Sequence, residues 1–293
     1  MLIHIVLPAI LTFIMFTLGL GLTVADFSRV LKFPRAFSIG AFNQLIVIPV
    51  VAFIIAIAFR LPPELAVGLM ILAFCPGGVV TNVLARMANG NTALSVSLTA
   101  VISIVSIFTL PVLVAWAVDY FMGAAAPPIN VAKLGIQMFV LTAVPVGLGM
   151  LVRRLAPGFV DKVATAMTRV AFVLFAILIV FALIGNWGVF IDNFPVLGPA
   201  LIILNASLLL IGVLTSKAAG LGVVDSTTVA IESGIQNGTL GIAVGLLIAE
   251  QASGLPPFTL PTAMYAITTW VASLPFVLWR RKITPSQQSP VTV

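Results

Sequence analysis

Thr228-Val-Ala-Ile-Glu-Ser-Gly-Ile-Gln-Asn-Gly-Thr239 lies within 225–249, a long apolar run whose interior carries one formal charge, Glu232. A carboxylate near the middle of a bilayer costs about 3 kcal/mol on insertion scales, so it stays ionised only beside a cation or a wet cavity. A functional site is the expected reading. Immediately downstream, Gly234 and Gly238 bracket Gln236 and Asn237. Glycines so placed let the helix open, which frees backbone carbonyls to face an ion.

The composition around that run is that of a membrane protein. Hydrophobic residues make up 61% of the 293 and charged residues 8%. Mean hydropathy is +1.25, whereas soluble domains carry about 25% charged residues. Apolar stretches near the bilayer-spanning length fall at roughly 3–22, 37–59, 65–88, 92–117, 131–152, 168–188, 197–216, 225–249 and 260–281. They predict an all-α polytopic membrane protein with about nine transmembrane helices. The first stretch is too long for a signal h-region and lacks a basic flank and a small-residue cleavage site, so it is expected to remain as a helix.

Basic residues collect in cytoplasmic loops. Arg29, Lys32, Arg35, Arg86, Arg153, Arg154, Lys162, Arg169, Lys217, Arg280, Arg281 and Lys282 share one side of this topology, while Arg60 and Lys133 fall on the other. The N-terminus is therefore expected outside and the C-terminus in the cytoplasm. The net charge of +6 then reflects this bias and attraction to anionic lipid of the bilayer, not a nucleic-acid surface. The polar tail 283–293 reads as disordered. One cysteine, Cys75, and one histidine, His4, exclude an intramolecular disulfide framework, a His-based triad and a His/Cys metal cluster. No HExxH, GxSxG, P-loop or dinucleotide fingerprint occurs, so no catalytic residues are assigned and no enzyme is expected.

A second interruption mirrors the first. The third stretch contains Cys75-Pro-Gly-Gly-Val-Val-Thr-Asn82, where Pro76 removes a donor and Gly77 and Gly78 relax the backbone. Taken alone, such a run reads as a harmless kink. The third and eighth stretches, however, cross the membrane in opposite senses, and each is broken near its middle with Asn close by. Two interrupted segments in corresponding positions point to an inverted-repeat transporter with its site where the breaks meet.

The runs CPGGVVTNVLARMANGNTALSVSLTAV (75–101), AIESGIQNG (230–238) and FNQLIVIP (42–49) resemble the bile acid:sodium symporter family, and the similarity covers essentially the whole chain. The resemblance implies a core of two three-helix inverted units, each with a discontinuous crossing helix, packed on a panel domain. In this numbering the panel is 1–36 and 119–196, the core 37–118 and 197–282. It further implies two Na⁺ sites behind the crossing, an organic anion between core and panel, and a bacterial inner (plasma) membrane location.

Carried over by residue, the first Na⁺ site is Thr81, Asn82, Ser95, Thr99 and Glu232. Ser95 and Thr99 are i and i+4, on one helical face, and hard cations prefer such oxygens. Each alone also reads as interhelical hydrogen-bonding glue. The second site is Gln44, Glu232, Gln236 and backbone carbonyls of Ser233 to Ile235. The substrate face is Asn237, Val79, Val80 and Thr269, with Trp270 beside it. Val79 and Val80 stand where relatives often carry a hydroxyl, and Thr269–Trp270 where bile-acid-binding bacterial members commonly carry His-Asn, so small hydroxy or keto acids fit as well as steroids.

Three functions are carried forward. The first is sodium-coupled import of a small or amphipathic organic anion, bile acid-like or a small hydroxy or keto acid, by alternating access. The second is proton-coupled or uncoupled carriage, with Glu232 titrating. The third is an intramembrane enzyme or sensor, for which the residue inventory offers no nucleophile and base.

Overall fold

The computed structural model describes residues 2–185, 187–248 and 256–285, and every regular element among them is a helix. The main helices are α1 Leu2–Leu20, α2 Pro34–Ala58, α3 Pro63–Phe74, α4 Val79–Met87, α5 Thr92–Met122, α6 Val131–Leu155, α7 Pro157–Gly185, α8 Trp187–Ala218, α9 Val223–Gly234, α10 Gly238–Ile248 and α11 Leu260–Ile283. Proline opens α2, α3 and α7, where its missing N–H would be unpaired anyway. Asn91 and Asn130 cap α5 and α6 by accepting from Leu94 N at 3.1 Å and Lys133 N at 2.9 Å.

By length and composition, six of the described helical stretches can cross a membrane, α9 with α10 counting as one, and up to eight if each of two bent pairs is one span. One pair is α3 with α4, bent by 62°. The expected span 168–188 falls on α7 and the start of α8, with residue 186 outside the described residues. The polar tail lies outside them beyond residue 285, and the end of the span 225–249 lies outside them at 249. Helix limits differ from the apolar stretches: α5 continues to Met122, α7 starts at Pro157 and α8 at Trp187. Hydropathy marks where a helix meets hydrocarbon, whereas the helix itself continues through the interface. Pro195 and Pro199 sit inside α8 without ending it, as membrane helices allow.

Both expected interruptions are present. After Phe74 the chain is extended at Cys75 (ψ 144°) and Gly78 (φ −150°) before α4 begins. After Gly234 it is extended at Ile235 (φ −125°, ψ 123°) before α10 begins. The breaks touch: Asn237 N–H donates to the carbonyl of Pro76 at 2.7 Å. That bond pairs a backbone group of one break with a backbone group of the other.

A feature absent from the sequence reading is a π turn in α2 at Asn43–Val47, followed by Pro49, and a second in α6 at Phe139–Ala143, followed by Pro145. Proline cannot donate to the carbonyl four residues back and crowds it, and a widened turn relieves the contact. In α2 the wider turn brings two consecutive residues, Asn43 and Gln44, into the interior at 0% and 4% exposure.

The largest apolar core surrounds α3 with Leu201, Leu204 and Leu208 of α8, Leu110 and Val114 of α5, and Met264 of α11. A second joins Leu11, Ile14 and Leu18 of α1 to Ala171 of α7 and Ile242 and Ala243 of α10. Helices α1 and α6 meet through glycine: a Cβ at Gly19 or Gly149 would overlap the facing backbone. Close small-residue contacts of this kind hold membrane helices together where the hydrophobic effect cannot.

Candidate functional site

Glu232 is fully buried on α9, two residues before the break. Its carboxylate meets oxygens from two other helices. Ser95 Oγ of α5 lies 2.5 Å from Glu232 Oε1 and 2.8 Å from Asn82 Oδ1 of α4. Thr99 Oγ1, one turn further along α5, lies 3.2 Å from Oε2, 3.4 Å from Oε1 and 3.5 Å from Asn82 Oδ1. Thr81 completes the wall. Its hydroxyl lies 2.7 Å from Gly78 O, accepts from Gly78 N at 3.3 Å and is within hydrogen-bonding reach of the Glu232 carboxylate. Gly77 makes the approach possible, since a Cβ there would sit 2.5 Å from Glu232 Oε2 and 3.2 Å from Thr81 Oγ1.

Proton counting shows what this cluster can do. With Glu232 ionised and Asn82 presenting its carbonyl oxygen, Ser95 has one hydroxyl proton for two acceptors within reach, so one of those contacts joins two lone pairs. Thr99 has one proton for three acceptors. Among the described residues no Lys or Arg side chain pairs with the carboxylate, and leaving a buried charge unpaired costs several kcal/mol. The deficit is one of positive charge, and the groups are carboxylate, amide and hydroxyl oxygens, the donor set of a hard monovalent or divalent cation.

A second group lies on the other side of the break. Gln44 Nε2 donates to the backbone carbonyl of Glu232 at 2.6 Å, and Gln236 Nε2 to that of Ser233 at 3.0 Å. Each amide thus spends its donor on the loop. Gln44 Oε1, Gln236 Oε1 and Asn43 Oδ1 are buried and accept no hydrogen bond, although buried acceptors are ordinarily satisfied. Asn43 donates to Thr215 Oγ1 at 2.9 Å and Ser233 Oγ at 3.1 Å. Within the expected loop the Gly234 carbonyl is already taken, by Asn205 Nδ2 at 2.7 Å and by the Tyr265 hydroxyl, while Ile235 O accepts no hydrogen bond among the described residues.

The sequence-predicted substrate residues line one cavity of about 230 Å³ between α1, α7, α11 and the two breaks, which includes Val79, Val80, Asn237, Thr269 and Trp270. Its wall is mostly apolar, with Ile14, Leu18, Phe172 and Phe175 facing the crossing. Among the described residues no Lys, Arg or His lines it. Asn237 caps α10 by accepting from Leu240 N at 3.1 Å, which leaves its Nδ2 uncommitted. The N–H groups of Val79, Val80, Gly238 and Thr239 likewise make no hydrogen bond among the described residues. These are the first turns of two half-helices, where unpaired N–H groups and the helix dipole favour an anion.

Asn43, Asn205, Tyr265 and Ser273 belong to this region and sequence reasoning missed them. Asn43 adjoins Gln44 but, in a regular helix, would face elsewhere; Asn205 lies in the apolar run 200–214 of α8, a signal that was available, whereas Ser273 is one of several hydroxyl residues on α11 and did not stand out.

A family model described as the sodium bile acid symporter family matches residues 8–193, more than half of the chain. The chain is 31% identical over 274 residues to the "Probable sodium/metabolite cotransporter BASS1, chloroplastic" of Arabidopsis thaliana, covering 92% of this chain and 66% of that protein. It is 27% identical over 275 residues to the "Uncharacterized sodium-dependent transporter YocS" of Bacillus subtilis (strain 168), covering 94% and 83%. To the human "Ileal sodium/bile acid cotransporter" it is 29% identical over 237 residues, covering 79% and 66%. The chain thus spans about two thirds of the plant and human relatives. With its helices, its paired breaks and this match agreeing, the chain belongs to the sodium bile acid symporter family.

Proposed function

We propose that this protein is a sodium-coupled secondary symporter that imports an organic anion by alternating access. The observation that carries the reading is the convergence of oxygens from α4, α5 and α9 on Glu232 with more acceptors than protons. Na⁺ enters as co-substrate. One ion is assigned to Thr81, Asn82, Ser95, Thr99 and Glu232, and a second to Gln44, Glu232, Gln236 and the carbonyls of Ser233 and Ile235. Two ions beside one carboxylate leave a net positive charge, which favours an anion at the half-helix N-termini, and anion binding in turn raises sodium affinity by the same factor. The anion's acidic group is assigned to Asn237 and the free N–H groups, its apolar part to the wall formed by Val79, Val80, Thr269 and the facing helices α1 and α7. The arrangement of α1, α6 and α7 as a panel against a core of the remaining helices, and an inner-membrane location with the N-terminus outside, complete the proposal.

A proton on Glu232 would also relieve the surplus of acceptors, but a proton needs one oxygen and not five. Uptake into vesicles distinguishes the two. An inward Na⁺ gradient at fixed pH should drive accumulation of a labelled acid from a series running from small 2-hydroxy and 2-keto acids to taurocholate. Accumulation driven by a pH gradient with choline replacing Na⁺ would overturn the sodium reading.

A further inference from the structure

Gly234 ends α9, and the break deprives its carbonyl of a helical partner. Two buried side chains replace that partner. Tyr265 of α11 donates its hydroxyl to it, and Asn205 of α8 donates Nδ2 at 2.7 Å while lying 3.3 Å from the same hydroxyl. Ser273 Oγ donates to Asn205 Oδ1 at 3.1 Å and lies 3.4 Å from Thr269 Oγ1. The amide is thereby held in one orientation. Space is tight as well, because a Cβ at Gly234 would meet Leu209 Cδ2 at 2.5 Å. The extended backbone of Ile235 turns the next carbonyl away from the clamped one.

The clamped segment serves two places at once. Gln236 offers its unpartnered Oε1 on the cation side, while Ile235, Gln236 and Asn237 form part of the cavity wall. Tyr265 lines the same cavity. We infer that Asn205 and Tyr265 are positioning residues that couple the cavity to the second cation site through the Gly234 carbonyl. This rests on the sodium reading above. A change in the loop on cation binding is transmitted to the cavity wall through Tyr265, and an occupant bearing on Tyr265 acts back on the loop, as reciprocal linkage requires.

The test uses the full-length purified protein with Na⁺ alone as ligand. In a Cys75→Ala background, Ala266→Cys places a thiol on the cavity wall beside Tyr265, and its maleimide labelling rate is measured in NaCl and in choline chloride. Sodium should change that rate several-fold with Tyr265 present. Adding Tyr265→Phe should abolish the change, while NaCl still raises the melting temperature of both proteins. Asn205 continues to satisfy the Gly234 carbonyl in Tyr265→Phe, so the fold is expected to hold. Should it not, Ser273→Ala loosens Asn205 instead and should give a partial loss of the same response. An unchanged sodium response in these variants, or a labelling rate insensitive to sodium in the parent, overturns the coupling. Absence of any sodium effect on the parent's melting temperature overturns the symporter reading itself, so the two failures are distinguishable.

Discussion

Ser95 and Thr99 each have one proton to share among more acceptors than they can serve, and Glu232 stands at the centre of that shortage. Glu232→Gln removes the charge and keeps the shape, so sodium-dependent stabilisation should vanish while expression survives; thermal melts with and without NaCl check this. Gly77→Ala should act on the same cluster by bulk, since its Cβ would fall 2.5 Å from Glu232 Oε2. Disturbing one buried partner costs about 1–3 kcal/mol, so half-saturating sodium should rise about five- to a hundredfold. Thr99→Ala and Gln44→Ala should each raise it too, from opposite sides of the break. If both sites are needed, the wild-type sodium dependence is sigmoidal and each substitution flattens it, whereas a hyperbolic wild-type curve contradicts a two-ion scheme.

At the scale of the element, the site depends on helices that stop or widen at defined places. The π turn at Asn43–Val47 turns Asn43 and Gln44 inward together, and Pro49 is its physical cause. Pro49→Ala should let α2 relax toward regular α geometry, raising half-saturating sodium without lowering the melting temperature in choline. Unaltered sodium affinity would show that the turn is held by packing alone. The breaks were legible in the sequence because Pro76, Gly77, Gly78, Gly234 and Gly238 act locally, and Glu232 was legible because a charge in an apolar run has few innocent explanations. The π turn was not, since proline in a membrane helix is compatible with a kink, a bulge or neither. The Asn205–Tyr265 clamp was not legible either, because it joins residues 60 apart in the chain. Helix ends were blurred for a different reason: hydropathy falls off at the interface, whereas α5, α7 and α8 continue past it.

For the whole molecule the governing quantity is charge. On the proposed two-ion scheme, two sodium ions and one carboxylate would leave one positive charge next to a cavity that no Lys, Arg or His lines among the described residues, which suits a monoanion with an apolar body. Asn237→Ala should therefore impair transport of a carboxylate more than it weakens sodium binding, and Val79→Thr should shift selectivity among acids toward more polar ones. Competition uptake across an acid series checks both, and competition by neutral or cationic solutes but not by acids would refute the anion assignment. The central claim is that Glu232 and its surrounding oxygens bind sodium. Equilibrium binding of ²²Na⁺ to the purified protein tests it most directly: saturable, cooperative binding by wild type that is lost in Glu232→Gln is the predicted result, and no binding by wild type, or equal binding by both, would contradict it.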